Sequence, residues 1–299
     1  MWHTQWAAVT GRGHLRRGLP CQDRVGTLTQ NGVTAVALAD GAGSRPLSQE
    51  GAEAAAERTC RLLCQDFERL MAAASPMELR RAILTPVREA LLRRAETLGT
   101  DLSALACTLL AVAVRGDEYL LLHTGDGVIA YQKEGKVLLA SAPKNGEYAN
   151  ATTFVTSPRA LRNTRVLKGR QESLEGFLLM SDGCGASLFQ HQTGKIAPLA
   201  GRLLQRAELL GRETAQDQLE AVLEQTVAQR TQDDCSLALL TRSTETFGRW
   251  ERLTPREQAQ VLGVRTQDRN RRRRMVRHYA ALYGAGPSGR TAENTERSA

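Results

Sequence analysis

Val33-Thr34-Ala35-Val36-Ala37-Leu38-Ala39-Asp40-Gly41 is an apolar run of strand length that stops on a carboxylate and a glycine. The same figure returns twice. Tyr119 to His123 leads to Asp126-Gly127, and Phe177-Leu178-Leu179-Met180 leads to Asp182-Gly183. It also occurs reversed: Asp233-Asp234 precede a strand from Cys235, and Asp23 precedes one at Val25. Any single Asp-Gly is a common turn dipeptide. Repeated at strand ends, the aspartates collect at one rim of a sheet. Carboxylates gathered there repel one another unless cations lie between them. An all-oxygen site of this kind suits hard divalent ions. The glycine is expected to let the chain turn and show its carbonyl to such an ion.

Working outward, the pattern predicts strands at Trp6–Thr10 and Val25–Thr29 on the N-terminal side. Two long helices follow, Ser48–Met71 with Ser48 as cap, and Pro76–Leu98 after a Ser75 cap. Strands return at Ala104–Val114, Glu118–His123, Gly127–Gln132, Lys136–Ala140, Phe154–Thr156, Thr164–Leu167 and Phe177–Ser181. Gly116-Asp117 and Glu134-Gly135 supply hairpin turns. Helices at Leu199–Leu210 and Thr214–Gln229 precede a last strand, Cys235–Thr241. Helices come in adjacent pairs, so strict βαβ alternation is missing. That order implies an α+β fold, with antiparallel sheets and helices packed outside them.

The composition, 41% hydrophobic over 299 residues, supports a sizeable core. The apolar runs are far shorter than a membrane span, and the N-terminal residues do not read as a signal peptide. Six cysteines stand singly with no CxxC, which fits free thiols in the cytoplasm. Cys60 and Cys64 read as one core-facing helical face. Of the net charge of +8, the segment from Thr241 onward accounts for +7. The expected division is therefore 1–241 as the main domain and 242–299 as an Arg-rich extension. Within the extension, helices are expected at Leu253–Leu262 and Arg265–Tyr283, with disorder from Ala285. The run Asn270–Tyr279 has the charge to meet nucleic acid or acidic lipid, but no base-reading motif accompanies it.

Taken in order, the motifs resemble those of the metal-dependent serine/threonine protein phosphatases, type 2C, particularly a bacterial branch. Gly13-His14 with Gly18-Leu19-Pro20-Cys21-Gln22-Asp23 is similar to the first family motif, and Ala39-Asp40-Gly41-Ala42-Gly43 to the central one. Ala106-Cys107-Thr108-Leu109, Thr124-Gly125-Asp126-Gly127, Ser181-Asp182-Gly183 and Asp233-Asp234-Cys235-Ser236 match the rest, with Asp234 in the place of an Asn. The match runs from about Trp6 to Thr241.

The resemblance implies a four-layer α-β-β-α sandwich and two divalent ions, Mn²⁺ or Mg²⁺. It implies that Asp40 bridges the ions, the Gly41 carbonyl binds the second, and Asp182 and Asp233 bind the first. Asp23 would act through bound water, and Asp126 would help hold a weaker third ion. The implied reaction is hydrolysis of phosphoserine and phosphothreonine in proteins by a metal-bridging water. Phosphorylated proteins, and a cognate kinase, are the implied partners. Two positions depart from the family pattern. Gly18 stands where many members carry a phosphate-gripping Arg, leaving His14, Arg16 and Arg17 as candidates. Ala42 stands where many carry a His. A catalytically weak phosphoprotein-binding module is the alternative these departures leave open.

Overall fold

The computed structural model describes residues 1–143, 152–210, 212–243 and 253–257. The chain divides into two compact units, Met1–Arg249 and Trp250–Ala299. In the first, β2 (Arg24–Gln30), β3 (Val33–Ala39), β4 (Leu109–Arg115), β5 (Glu118–Thr124) and β8 (Arg165–Arg170) form one antiparallel sheet in that order. The second sheet is ordered β1 (Trp2–Val9), β12 (Cys235–Arg242), β9 (Leu174–Met180), β6 (Val128–Lys133) and β7 (Lys136–Ser141).

Alternation along the central strands builds the layers. Val36 and Leu38 of β3 face Leu179, Ala238 and Leu240 of the other sheet, forming the middle core. Ala35, Ala37 and Ala39 face the opposite way, against Ala52, Ala55 and Ala56 of α2 (Ser48–Gln65). Every residue of β3 is therefore buried, and the run reads as continuously apolar. Each Val or Leu so enclosed contributes about 2 kcal/mol. The helix α4 (Pro76–Leu98) joins α2 on that face, while α7 (Pro198–Leu210) and α8 (Arg212–Val222) cover the second sheet. Two packed antiparallel sheets with helices outside are the architecture expected. Cys60 and Cys64 lie on the buried face of α2, donating to the carbonyls of Gly26 and Leu28.

Several elements differ from expectation. The first long helix breaks at Asp66, a residue better suited to a cap than a helix interior, and resumes as α3 (Phe67–Ala72). Ser48 is the first residue of α2 rather than its cap, and its hydroxyl is buried without a partner. Ser75 does cap α4, accepting from the Glu78 N–H at 3.2 Å. Leu102–Leu105 is a 3₁₀ turn, so β4 starts only at Leu109. Phe154–Thr156 is a turn into α5 (Ala160–Asn163), its backbone closed by Ser157 N–H to Phe154 O. Three short elements were not anticipated: α1 (Arg12–Arg17), α6 (Asp182–Leu188) and a hairpin of β10 (Phe189–Gln190) with β11 (Lys195–Ile196). In the second unit, a helical turn starts at Pro255, with Thr254 and Glu257 capping each other. The Arg-rich run lies outside the described residues.

Candidate metal centre

Strand direction brings six aspartates to one rim. β3 and β5 run the same way and end just before Asp40 and Asp126. β2 is antiparallel to β3, so Asp23 at its start shares that edge. In the facing sheet, β9 ends before Asp182, and its antiparallel neighbour β12 begins just after Asp233 and Asp234. One carboxylate oxygen from each of Asp40, Asp126 and Asp182 lies within 4.8 Å of the others.

The electrostatics show a site built for positive charge. Burial, followed by the charges of Asp23, Asp182, Asp126 and Asp233, holds the Asp40 carboxyl well above the usual carboxylate range. Asp182 is pushed up to about 6 by burial and by Asp126 and Asp233, despite the hydrogen bond from the Gly183 N–H. Asp23 is pushed up to about 7, chiefly by burial and then by Asp234 and Asp182, against the bond from Ser236. That bond, Ser236 Oγ to Asp23 Oδ2, is 2.6 Å, while Oδ1 is buried with no partner. The rim thus offers more acceptor oxygens than donors to meet them. Divalent cations fit this donor set, and nitrogen or sulfur ligands are absent from it.

The glycines of the three Asp-Gly pairs have a purpose other than the one expected. None has a positive φ. They permit close approach instead. A Cβ at Gly183 would lie 2.1 Å from the Asp234 carbonyl oxygen, and one at Gly41 2.8 Å from that of Gln22. Gly127 meets the Met180 carbonyl in the same way. Any side chain at these places would push the rim segments apart.

Around the aspartates stands a frame of hydrogen bonds. The Asp40 N–H donates to Thr108 Oγ1 at 3.0 Å, and the Thr108 N–H returns to the Asp40 carbonyl at 2.8 Å. Thr152 donates to Asp126 Oδ2. Asp234 Oδ1 accepts from the Gly11 N–H at 2.7 Å, and Oδ2 accepts from the Gln22 N–H at 2.6 Å and meets His14 Nδ1 at 2.9 Å. Asp234 therefore ties α1 and the start of β2 to β12. Sequence reasoning gave it no role, although an acidic doublet ahead of a strand was the available signal.

Of the three phosphate-binding candidates, only His14 is buried against this frame. Arg16 and Arg17 are exposed, and their Nε atoms bond back to Arg12 O and Gly13 O within α1. Gly18 is the left-handed C-cap of α1, at φ 67, where an Arg would be strained.

Comparison with known proteins agrees with this arrangement. The sequence profile of the family described as Protein phosphatase 2C matches residues 10–224. Serine/threonine-protein phosphatase 3 of Escherichia coli (strain K12) is 29% identical over 183 residues, covering 59% of this chain and 72% of that protein. The S. agalactiae serine/threonine phosphatase structure superposes with a TM-score of 0.52 at 19% identity, covering 81% of this chain and 99% of that one. A C. elegans sex determining protein gives 0.55 at 13% identity, over 81% of this chain and 65% of that one. The chain belongs to the protein phosphatase 2C family and is a protein-serine/threonine phosphatase.

Proposed function

We propose that the rim holds two divalent cations, Mn²⁺ or Mg²⁺, through Asp40, Asp182, Asp233, the Gly41 carbonyl and, less directly, Asp23. Asp126 is assigned to a third, weaker ion. When bound, such ions supply Lewis acidity toward water and toward the phosphoryl oxygens. The chain's own residues hold that charge in place. Thr108 fixes the backbone of Asp40, Ser236 orients Asp23, and the Gly183 N–H, 2.6 Å from Asp182 Oδ1, orients Asp182. The observation that carries the reading is the grouping of Asp40 with Asp126 and Asp182 within 4.8 Å, where burial and then four neighbouring carboxylates raise the Asp40 carboxyl.

The substrates are phosphoserine and phosphothreonine proteins, so a serine/threonine kinase must supply them. Among the described residues no helix is long and apolar enough to cross a membrane. The six unpaired cysteines favour a cytoplasmic location. The residues from 242 onward are assigned to a separate extension.

The test is turnover of p-nitrophenyl phosphate and a phosphothreonine peptide, with Mn²⁺ or with EDTA. Turnover is expected only with the metal, and Asp40→Ala or Asp182→Ala should lower it about 10³-fold, the loss of several kcal/mol of charge stabilisation. Equal turnover in EDTA, or full activity in either variant, would refute the assignment.

A further inference from the structure

The His14–Asp234 pair is sealed in the protein, with side-chain exposures of 5% and 3%, and the metal assignment leaves it unused. Asp234 is an acceptor for the N–H groups of Gly11 and Gln22, so it meets His14 Nδ1 as an acceptor as well. This fixes the ring: Nδ1 carries a hydrogen in either protonation state, and Nε2 is the working end, with a proton to give in the imidazolium. Nε2 makes no hydrogen bond among the described residues and is not among the buried polar atoms that lack a partner. A Cβ at Gly43 would lie 3.8 Å from Nε2 and 3.8 Å from Gln22 Oε1. Gln22 Oε1 is itself buried and unpartnered, and Gly43 is exposed. Both polar atoms thus lie beside the exposed Gly43, in the loop that continues from Asp40 and Gly41. A carboxylate behind an imidazole stabilises the imidazolium and aims its outer nitrogen.

Resting on the phosphatase reading, we propose that His14 is a catalytic residue that protonates the departing side-chain oxygen. As the P–O bond of phosphoserine or phosphothreonine breaks, its electron pair goes to the bridging oxygen, which takes the proton from Nε2 of the His14 imidazolium and leaves the neutral Nδ1–H ring. Water forms the new O–P bond and releases its proton to solvent, and His14 takes a proton back from solvent. Asp234 is a positioning residue for this step. A serine or threonine alkoxide needs that proton. A nitrophenolate does not. A positioned general acid supplies about 10²-fold to 10⁴-fold.

The experiment compares two substrates, a phosphothreonine peptide and p-nitrophenyl phosphate, with wild type, His14→Gln and Asp234→Asn at one Mn²⁺ concentration. His14→Gln should lower kcat on the peptide about 10²-fold more than on p-nitrophenyl phosphate, and Asp234→Asn should shift the ratio the same way. An equal fall on both substrates would mean a structural role only and would overturn the proposal. The wild type gives a second test should the variants not fold. Its kcat across aryl phosphates should depend weakly on leaving-group acidity, and a steep dependence would overturn the proposal. A wild type inactive on both substrates would sink the phosphatase reading first, which separates the two failures.

Discussion

Asp40 and Asp234 stand at the same rim, in segments that precede or follow neighbouring strands, yet their surroundings are opposite in kind. Asp234 is buried and saturated: two backbone N–H groups and a histidine meet its two oxygens. Asp40 has four other carboxylates near it, and burial together with their charges raises its carboxyl. The first arrangement stabilises the folded chain by itself. The second destabilises the chain until positive charge arrives. One rim therefore holds a hydrogen-bonded carboxylate and a crowded carboxylate cluster side by side, and hydrogen-bond donors decide which is which.

Substitution should separate the two regions by sign. Asp234→Ala leaves two buried N–H groups and a histidine without an acceptor. It should lower unfolding free energy by about 3 kcal/mol in urea titration, with or without Mn²⁺. A loss that Mn²⁺ abolishes would put Asp234 on the metal side of the comparison.

The pH dependence comes next in size. The folded values of Asp182 and Asp23 are raised from 3.8 to about 6 and about 7. In the metal-free protein the folded state therefore binds more protons than the unfolded chain across that window. Stability is fully present below about pH 4 and is lost as pH rises through about 6 and 7. Thermal midpoints in EDTA should fall over this range, and a rise would contradict the account. The smallest effect is expected of Thr108→Val, which removes the acceptor for the Asp40 N–H at 3.0 Å. Its cost should be about 1 kcal/mol, read from the urea midpoint at unchanged slope.

Much of this arrangement was legible in the sequence because strand ends are local. The run Val33–Ala39 with its Asp-Gly gave both a buried strand and a candidate ligand, and the same figure at Asp126 and Asp182 gave the rim. What was not legible depended on distant partners. The Asp-Gly glycines were read as turns, whereas Gly183 and Gly41 exist because carbonyls of Asp234 and Gln22 pass close by. The helix α1 was missed because Arg12–Arg17 has no apolar stripe: its only buried residue, His14, is held by a carboxylate from the far end of the fold. Phe154–Thr156 looked like a strand by composition, but Ser157 turns it instead.

The central claim is that the Asp40 cluster is a repulsive site relieved by divalent cations. The direct measurement is the thermal midpoint of wild type and Asp40→Asn at neutral pH, in EDTA and in saturating Mn²⁺. In EDTA the variant should be the more stable, by about 1 kcal/mol, because one of the crowded charges is gone. Mn²⁺ at about a hundred times its Kd should stabilise the wild type by about 2.7 kcal/mol and the variant far less. A variant less stable than wild type in EDTA, or one that gains as much from Mn²⁺, would contradict the account.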